Sequence, residues 1–190
     1  IDKISNELTP MVATARLIKQ EHPDASVVFI GPCASKKLEA SRRTVRSDVD
    51  FVITFEELTG MFEAKGILLD EIKAMDEMKD ATAAGRGYGV AGGVANAIKE
   101  CIEQYYPGTP VNIQHAESLA ECKKALLLAK AGKMNGCLIE GMACPGGCIA
   151  GAGTNIAIPV AARAVDKFKN EAEKKVPDES VDQEMVELEK

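Results

Sequence analysis

Short unbroken apolar runs alternate along this chain with stretches in which apolar positions recur every three or four residues. The first helical stretch covers residues 10–20, where Met11, Ala15, Leu17 and Ile18 can share one side. Residues 26–30 (SVVFI) are continuously apolar except for the opening serine and stop at Gly31 and Pro32. That pattern predicts a strand buried on both faces, as in a parallel sheet. A polar segment, 36–48, leads to a second strand over 49–55, with Asp50 as its only charge. Thr54 precedes a helix start that carries Glu56 and Glu57 in its first turn. Residues 60–84 predict no firm element. A glycine-rich loop, 85–93, runs into a helix over 94–105, and residues 111–113 form a weak strand. Ser118 begins a helix over 119–130, with Glu121 placed as a capping box requires. A clear strand follows at 136–140, and a last helix covers 159–175 with proline suited to its first turn.

Strands alternating with helices predict an α/β fold with a mostly parallel sheet flanked by helices. Ligand sites in such folds gather at the carboxyl ends of strands. Cys33 and Cys144 each lie just past such an end. They can therefore converge although roughly a hundred residues separate them. Residues 1–176 read as the folded part. The tail 177–190 carries six acids and one lysine, and is expected to be a solvated terminus or a short helix.

Composition narrows the function classes. The chain has 190 residues, 46% hydrophobic and 27% charged, which is ordinary for a globular domain that needs no disulfide staples. A net charge of −6 argues against nucleic acid or anionic membrane as a partner. No apolar run approaches the roughly 18 residues of a membrane span, and no secretory signal opens the chain, so the expected location is cytoplasmic. The six cysteines then read as reduced thiols or metal ligands. Cys101, Cys122 and Cys137 lie inside regular elements and are expected to be buried small hydrophobes. The chain opens on Ile1, as expected of a piece of a longer protein.

The glycine loop matches G-x-G-x-x-G at Gly87, Gly89 and Gly92. No strand leads into it and no acid stands about twenty residues beyond, so dinucleotide binding is not its purpose. The segment GPCASKKLE, 31–39, sets a thiol at a strand end with Lys36 and Lys37 close behind, and a nearby cation favours thiolate. EGMACPGGCIAGAG, 140–153, places Cys144 and Cys148 four apart, which on a helical turn would put both thiols on one side. Its glycines let backbone N–H groups approach sulfur. Zinc is less natural, because Cys-x3-Cys is not the usual knuckle and neither histidine, His22 or His115, is nearby in sequence. A radical-SAM pattern would need a cysteine where Gly151 stands. Iron–sulfur ligation is the best chemical reading.

Taken together, these motifs resemble the catalytic domain of the iron-only hydrogenases. Residues 31–39 look like that family's second signature, M-P-C-x-x-K-x-x-E, and residues 140–153 are similar to its third, E-x-M-x-C-x-x-G-C-x-x-G-G-G. Residues 49–58 and the turn over 89–94 also look like family segments, so the resemblance covers roughly 4–155. It implies one lobe and part of a second of that domain. It also implies an H-cluster: a 4Fe-4S cubane joined through one cysteine to a diiron subcluster carrying CO and cyanide. By position it implies Cys33 and Cys144 as cubane ligands and Cys148 as the bridge. Lys36 would hydrogen-bond a cyanide, since a buried ammonium needs an anionic partner. Glu39 would be its acidic neighbour, Met142 would pack beside the diiron unit, and Ser5 would stand in a proton relay. Pro10, Pro32, Gly89, Ala91, Gly92 and Gly147 would line the cofactor pocket. The implied substrates are H2 and protons, with ferredoxin or upstream iron–sulfur domains as redox partner.

The departures from the family pattern are specific. Gly31 stands where the family has methionine, Met11 where it has glutamine after Pro10, and Ala152 at one of three closing glycines. These suit a divergent branch that senses H2 or redox state with little turnover. The family's first signature, T-S-C-C-P, would lie before Ile1 and would supply the remaining cubane ligand and the proton-passing cysteine. The chain is thus expected to be the carboxyl-terminal part of such a domain, inactive alone and without metal as isolated. An iron–sulfur carrier without the diiron unit is a further reading, against which Lys36 and Met142 stand.

Overall fold

The computed structural model describes residues 3–42, 47–73 and 81–176, and these divide into two units. The first comprises the described residues up to Leu68 together with Ala152–Thr154; the second takes up the remainder. The acidic tail and parts of the 36–48 and 60–84 segments lie outside the described residues.

In the first unit the order is α1 (Pro10–Glu21), β1 (Val28–Gly31), α2 (Ser35–Ser41), β2 (Phe51–Thr54) and α3 (Phe55–Ala64). Proline suits the first turn of α1 because the amide it lacks would have no partner there. The helix buries Met11, Val12 and Ala15 with Val49, and Phe29 and Val52 pack against them. Phe29 and Val52 are also partners across the parallel β1–β2 pair. Burying a valine such as Val12 stabilises by about 2 kcal/mol. Strand residues alternate in direction, so Val28, Ile30 and Phe51 point to the opposite face, where they are 43%, 44% and 62% exposed. The expected burial on both faces is therefore corrected in this unit. A two-stranded sheet with one apolar cluster behind it covers one face only. The polar 36–48 segment overlaps α2, a seven-residue helix with no buried residue. Its helicity carries no apolar stripe that a periodicity reading could detect.

Thr54 caps α3 with a complete capping box. Its hydroxyl accepts from Glu57 N–H at 3.2 Å, and the Glu57 carboxylate accepts from Thr54 N–H at 2.8 Å. Gly153 packs against this cap. Its amide donates to Pro32 O at 3.0 Å and its carbonyl accepts from Glu56 N–H at 3.2 Å, so it bridges the carboxyl ends of β1 and β2.

The second unit contains a 3-10 turn (Leu69–Glu71), α4 (Ala83–Arg86), α5 (Gly93–Tyr105), β3 (Asn112–Glu117), α6 (Leu119–Lys130), β4 (Cys137–Met142), a 3-10 turn (Cys148–Ala150) and α7 (Ile158–Asn170). Strands β3 and β4 are parallel. The α/β class with parallel strands is thus found, with the described strands distributed over two two-stranded sheets. Ala84, Ala97 and Val176 form a small core with Tyr88 and Cys101 against it. Burial, and secondarily Cys101, push the Tyr88 phenol up from its usual value. Arg86 ties α4 to α7, donating from Nη1 to Phe168 O at 3.0 Å and lying 4.2 Å over the Phe168 ring. The last helix ends at Asn170, short of the expected 175. The carbonyls of Lys174 and Lys175 accept from the amides of Ala83 and Ala84. The capping box expected at Ser118 is half formed. Ser118 Oγ accepts from Glu121 N–H, while the Glu121 carboxylate turns to Glu117 N–H. Among the described residues no helix is long and apolar enough to cross a membrane.

Two carboxylates of the first unit sit below their ordinary range. The Val27 amide and then Lys19 hold Asp50 down, while Lys37 and then the Thr54 amide hold Glu57 down. A lowered folded-state value means that the unfolded chain binds more protons in acid. The stability these groups contribute is present above about pH 4 and is lost as pH falls through their lowered values. Urea unfolding at pH 7 and pH 3 should therefore show a smaller drop in midpoint for Asp50→Asn than for the native chain.

Candidate functional site

Around Cys33 the first unit builds a short polar chain. Cys33 is half-buried in the turn between β1 and α2, and its carbonyl accepts from Lys36 N–H at 3.3 Å. One helical turn on, Lys36 Nζ meets Glu39 Oε2 at 2.7 Å, with both side chains 23% exposed. The other Glu39 oxygen accepts from the Thr9 hydroxyl at 2.5 Å. Thr9 is the residue before α1 and makes no side-chain cap there, so its hydroxyl serves Glu39 instead. Lys37 points elsewhere, to Glu57 at 2.5 Å. At Gly31 an added Cβ would come 2.9 Å from Phe29 Cε1, so the Phe29 ring occupies the space a longer side chain would need.

The second unit carries Cys144 and Cys148. They do not share a helical turn, which corrects the i, i+4 expectation. Gly146 and Gly147 have φ of +94° and +89°, left-handed values that break a right-handed path. Cys144 is half-buried in the bend after β4, and its carbonyl accepts from Gly147 N–H at 2.9 Å; Cys148 is exposed and opens the 3-10 turn. This loop docks on the glycine loop through two backbone bonds, Ala91 N–H to Gly146 O and Ile149 N–H to Gly89 O, both 3.1 Å. A Cβ on Gly147 would overlap Ala91 N and lie 2.6 Å from Val90 C. The G-x-G-x-x-G segment here meets the cysteine loop by close backbone approach.

Glu140 is the member that spacing did not single out. Buried within β4, two residues before its end, it accepts from the amides of Gly92 at 2.6 Å, Val94 at 3.0 Å and Ala95 at 3.1 Å. His115, its partner across the β3–β4 register, meets it at 3.1 Å through Nδ1. The histidine that the sequence sets apart from the cysteine loop thus stands beside the strand leading to it. The available signal was the acid at the end of an apolar strand, where charge is rarely buried without partners. Glu117, at the end of β3, also receives Gly146 N–H at 3.0 Å. Met142 ends β4 with its carbonyl 3.8 Å from the Cys122 thiol. Cys101, Cys122 and Cys137 are half-buried rather than fully buried.

Ser5 is exposed and accepts from Glu7 N–H, Pro10 opens α1, and Pro32 O receives Gly153 N–H. Sequence-derived site residues therefore gather in two groups. Cys33, Lys36 and Glu39 belong to the first unit; Gly89, Ala91, Gly92, Gly147, Cys144 and Cys148 belong to the second. Among the described residues no three Cys, His, Asp or Glu side chains cluster as a metal ion would require. As donors the three thiols fit an iron–sulfur group, for which cysteine thiolates are the usual ligands, and they are one short of a four-cysteine set.

The Gly147 contact generates a prediction. Gly147→Ala imposes both left-handed strain and overlap with the glycine loop, and should lower stability by about 3 kcal/mol in denaturant unfolding. Gly60→Ala, where a Cβ meets nothing within 4 Å, should not destabilise.

Comparison with known proteins places this geometry. The family model for the C-terminal domain of the iron only hydrogenase large subunit matches residues 1–152. A curated relative, the cytosolic Fe-S cluster assembly factor NAR1 of Kluyveromyces lactis, is 43% identical over 53 residues, covering 28% of this chain and 11% of that protein. Among solved structures, the FeFe-hydrogenase HydA(deltaEFG), studied for stepwise H-cluster assembly, aligns with TM-score 0.62 and 21% identity over 93% of this chain and 62% of that one. A variant of apo FeFe-hydrogenase HydA1 from Chlamydomonas reinhardtii aligns with TM-score 0.58 and 19% identity over 94% and 62%. At such identities the likeness is one of fold, and this chain spans less than two thirds of the length of either structure.

Proposed function

The chain belongs to the family of iron-only hydrogenase C-terminal domains, and on that premise we propose that it forms part of a hydrogenase-type catalytic domain. The protein it serves would interconvert H2 with protons and electrons at an H-cluster. The observation that carries this reading is the family match over residues 1–152, a span that includes Cys33, Lys36, Glu39, Cys144 and Cys148. On this reading Cys33 and Cys144 hold the 4Fe-4S cubane and Cys148 bridges to the diiron unit. When bound, that group supplies the redox chemistry. Lys36 presents an ammonium whose charge Glu39 balances, and Thr9 orients Glu39 by donating to its second oxygen. The Gly146 amide is taken by Glu117 and the Gly147 amide by the Cys144 carbonyl, which fixes the turn between the two thiols.

A second reading is a sensor of H2 or redox state, or a non-catalytic iron–sulfur protein. The similarity to a cluster assembly factor favours it, as do Gly31, Met11 and Ala152 at the family's methionine, glutamine and glycine positions. The Phe29 ring beside Gly31 changes the packing at the strand end where Cys33 sits.

Reconstitution of the chain tests the ligand set, and turnover in the intact protein separates the two readings. The 190-residue chain is treated anaerobically with ferrous iron and sulfide, then assayed for iron, visible absorption and H2 evolution from an artificial reductant. We expect iron binding that falls several-fold in Cys33→Ser, Cys144→Ser or Cys148→Ser, is unmoved in Cys101→Ser, and gives no H2. H2 evolution by the chain alone would sink the three-ligand reading, and iron binding indifferent to all three serines would sink the site. In the intact protein, H2 turnover supports catalysis; H2-dependent spectral change without turnover supports the sensor.

A further inference from the structure

We propose that Glu140, held by His115, is the positioning residue for the loop that carries Cys144 and Cys148. Helix α5 begins at Gly92 and Gly93, and Gly92, at φ +83°, offers no side chain to cap it. The first amides of a helix need acceptors, and its positive end favours an anion. Glu140 supplies both from 48 residues away in sequence, taking the Gly92, Val94 and Ala95 amides on its two oxygens. A carboxylate accepts at about four lone-pair sites, and His115 Nδ1 fills the fourth. Against an acceptor-only carboxylate that contact requires the proton on Nδ1.

The carboxylate therefore ties β4 to the glycine loop, and the glycine loop holds the cysteine loop through the Ala91–Gly146 and Gly89–Ile149 bonds. The chain leaves Glu140, turns at Cys144 and Gly147, and returns to the same loop that Glu140 anchors. It is a closed ring in which the Glu140 carboxylate is buried, and Glu117 adds an exposed side-chain contact to the Gly146 amide. Glutamine offers a single acceptor oxygen, so one edge of the amide would face donors with its own N–H. Alanine leaves three helix-start amides without acceptors, at a cost comparable to other lost buried hydrogen bonds.

This inference rests on the proposed function only in taking Cys144 and Cys148 as the working thiols. Its test needs no metal. Iodoacetamide labelling of the metal-free 190-residue chain, read by peptide mass spectrometry, gives a rate for each cysteine, and hydrogen exchange reports the 87–95 and 143–151 segments. We expect Glu140→Ala to raise the Cys144 rate by about ten-fold and to speed exchange in both segments, as local opening does. Glu140→Gln should recover part of that effect, and His115→Phe should show about a two- to three-fold rise, since it removes one of four contacts. The Cys33 rate and exchange in α1 should stay at native values. An unchanged Cys144 rate in Glu140→Ala overturns the proposal, and so does an equal rise at Cys33, which would make the residue a general stabiliser. If Glu140→Ala fails to fold, His115→Phe decides, and a native Cys144 rate in that variant overturns it. Iron binding can fail while this labelling pattern holds, and the reverse, so the two readings fall separately.

Discussion

The cysteine loop depends on the contact between two backbone segments, residues 89–91 and 146–149. Both hydrogen bonds between them require the chains to approach at a distance that any side chain at Gly147 would prevent. Everything about the cysteine loop follows from that approach. The left-handed turn at Gly146 and Gly147 sends the chain out of β4 without continuing it as a helix. Cys144 stays half-buried before the turn, and Cys148 emerges exposed after it. Two acids of this strand pair, Glu117 at the end of β3 and Glu140 within β4, receive the Gly146 amide and the first amides of α5 respectively. The loop is thus held by acceptors that both strands supply.

The first unit solves a related problem with different parts. There the strand ends are joined by Gly153 and by the Thr54 capping box, and Cys33 sits in the turn that leaves β1. A Cβ at Gly153 would overlap Thr54, so the close approach again depends on glycine. Lys36 and Glu39 neutralise one another beside this turn, and Thr9 completes the acid's partners. In both units a thiol follows a β-strand, a glycine permits backbone contact, and a carboxylate organises nearby donors.

Much of this was legible in the chain. Apolar runs at 26–30, 49–55 and 136–140 predicted β1, β2 and β4, residues 111–113 predicted β3 weakly, and Thr54 before the acids Glu56 and Glu57 marked the start of α3. Strong local signals survive folding because capping and strand propensity act within a few residues. Helix α2 left no periodic signal because it buries nothing, and after α7 the chain turns to meet Ala83 and Ala84 through the Lys174 and Lys175 carbonyls. The match to G-x-G-x-x-G was correctly discounted, since no strand leads into it and a carboxylate occupies the helix start that a phosphate would need.

By itself the sequence determined the α/β class, the three thiols in their motifs and the glycines that let the backbone close around two of them. Only the tertiary structure decided that Glu140 caps a helix begun 48 residues earlier, that His115 stands beside it and that Thr9 serves Glu39. The physical reason is one of range. Propensity, capping and periodicity are set by neighbours within a turn or a strand, whereas a buried carboxylate finds its donors wherever folding brings unpaired amides.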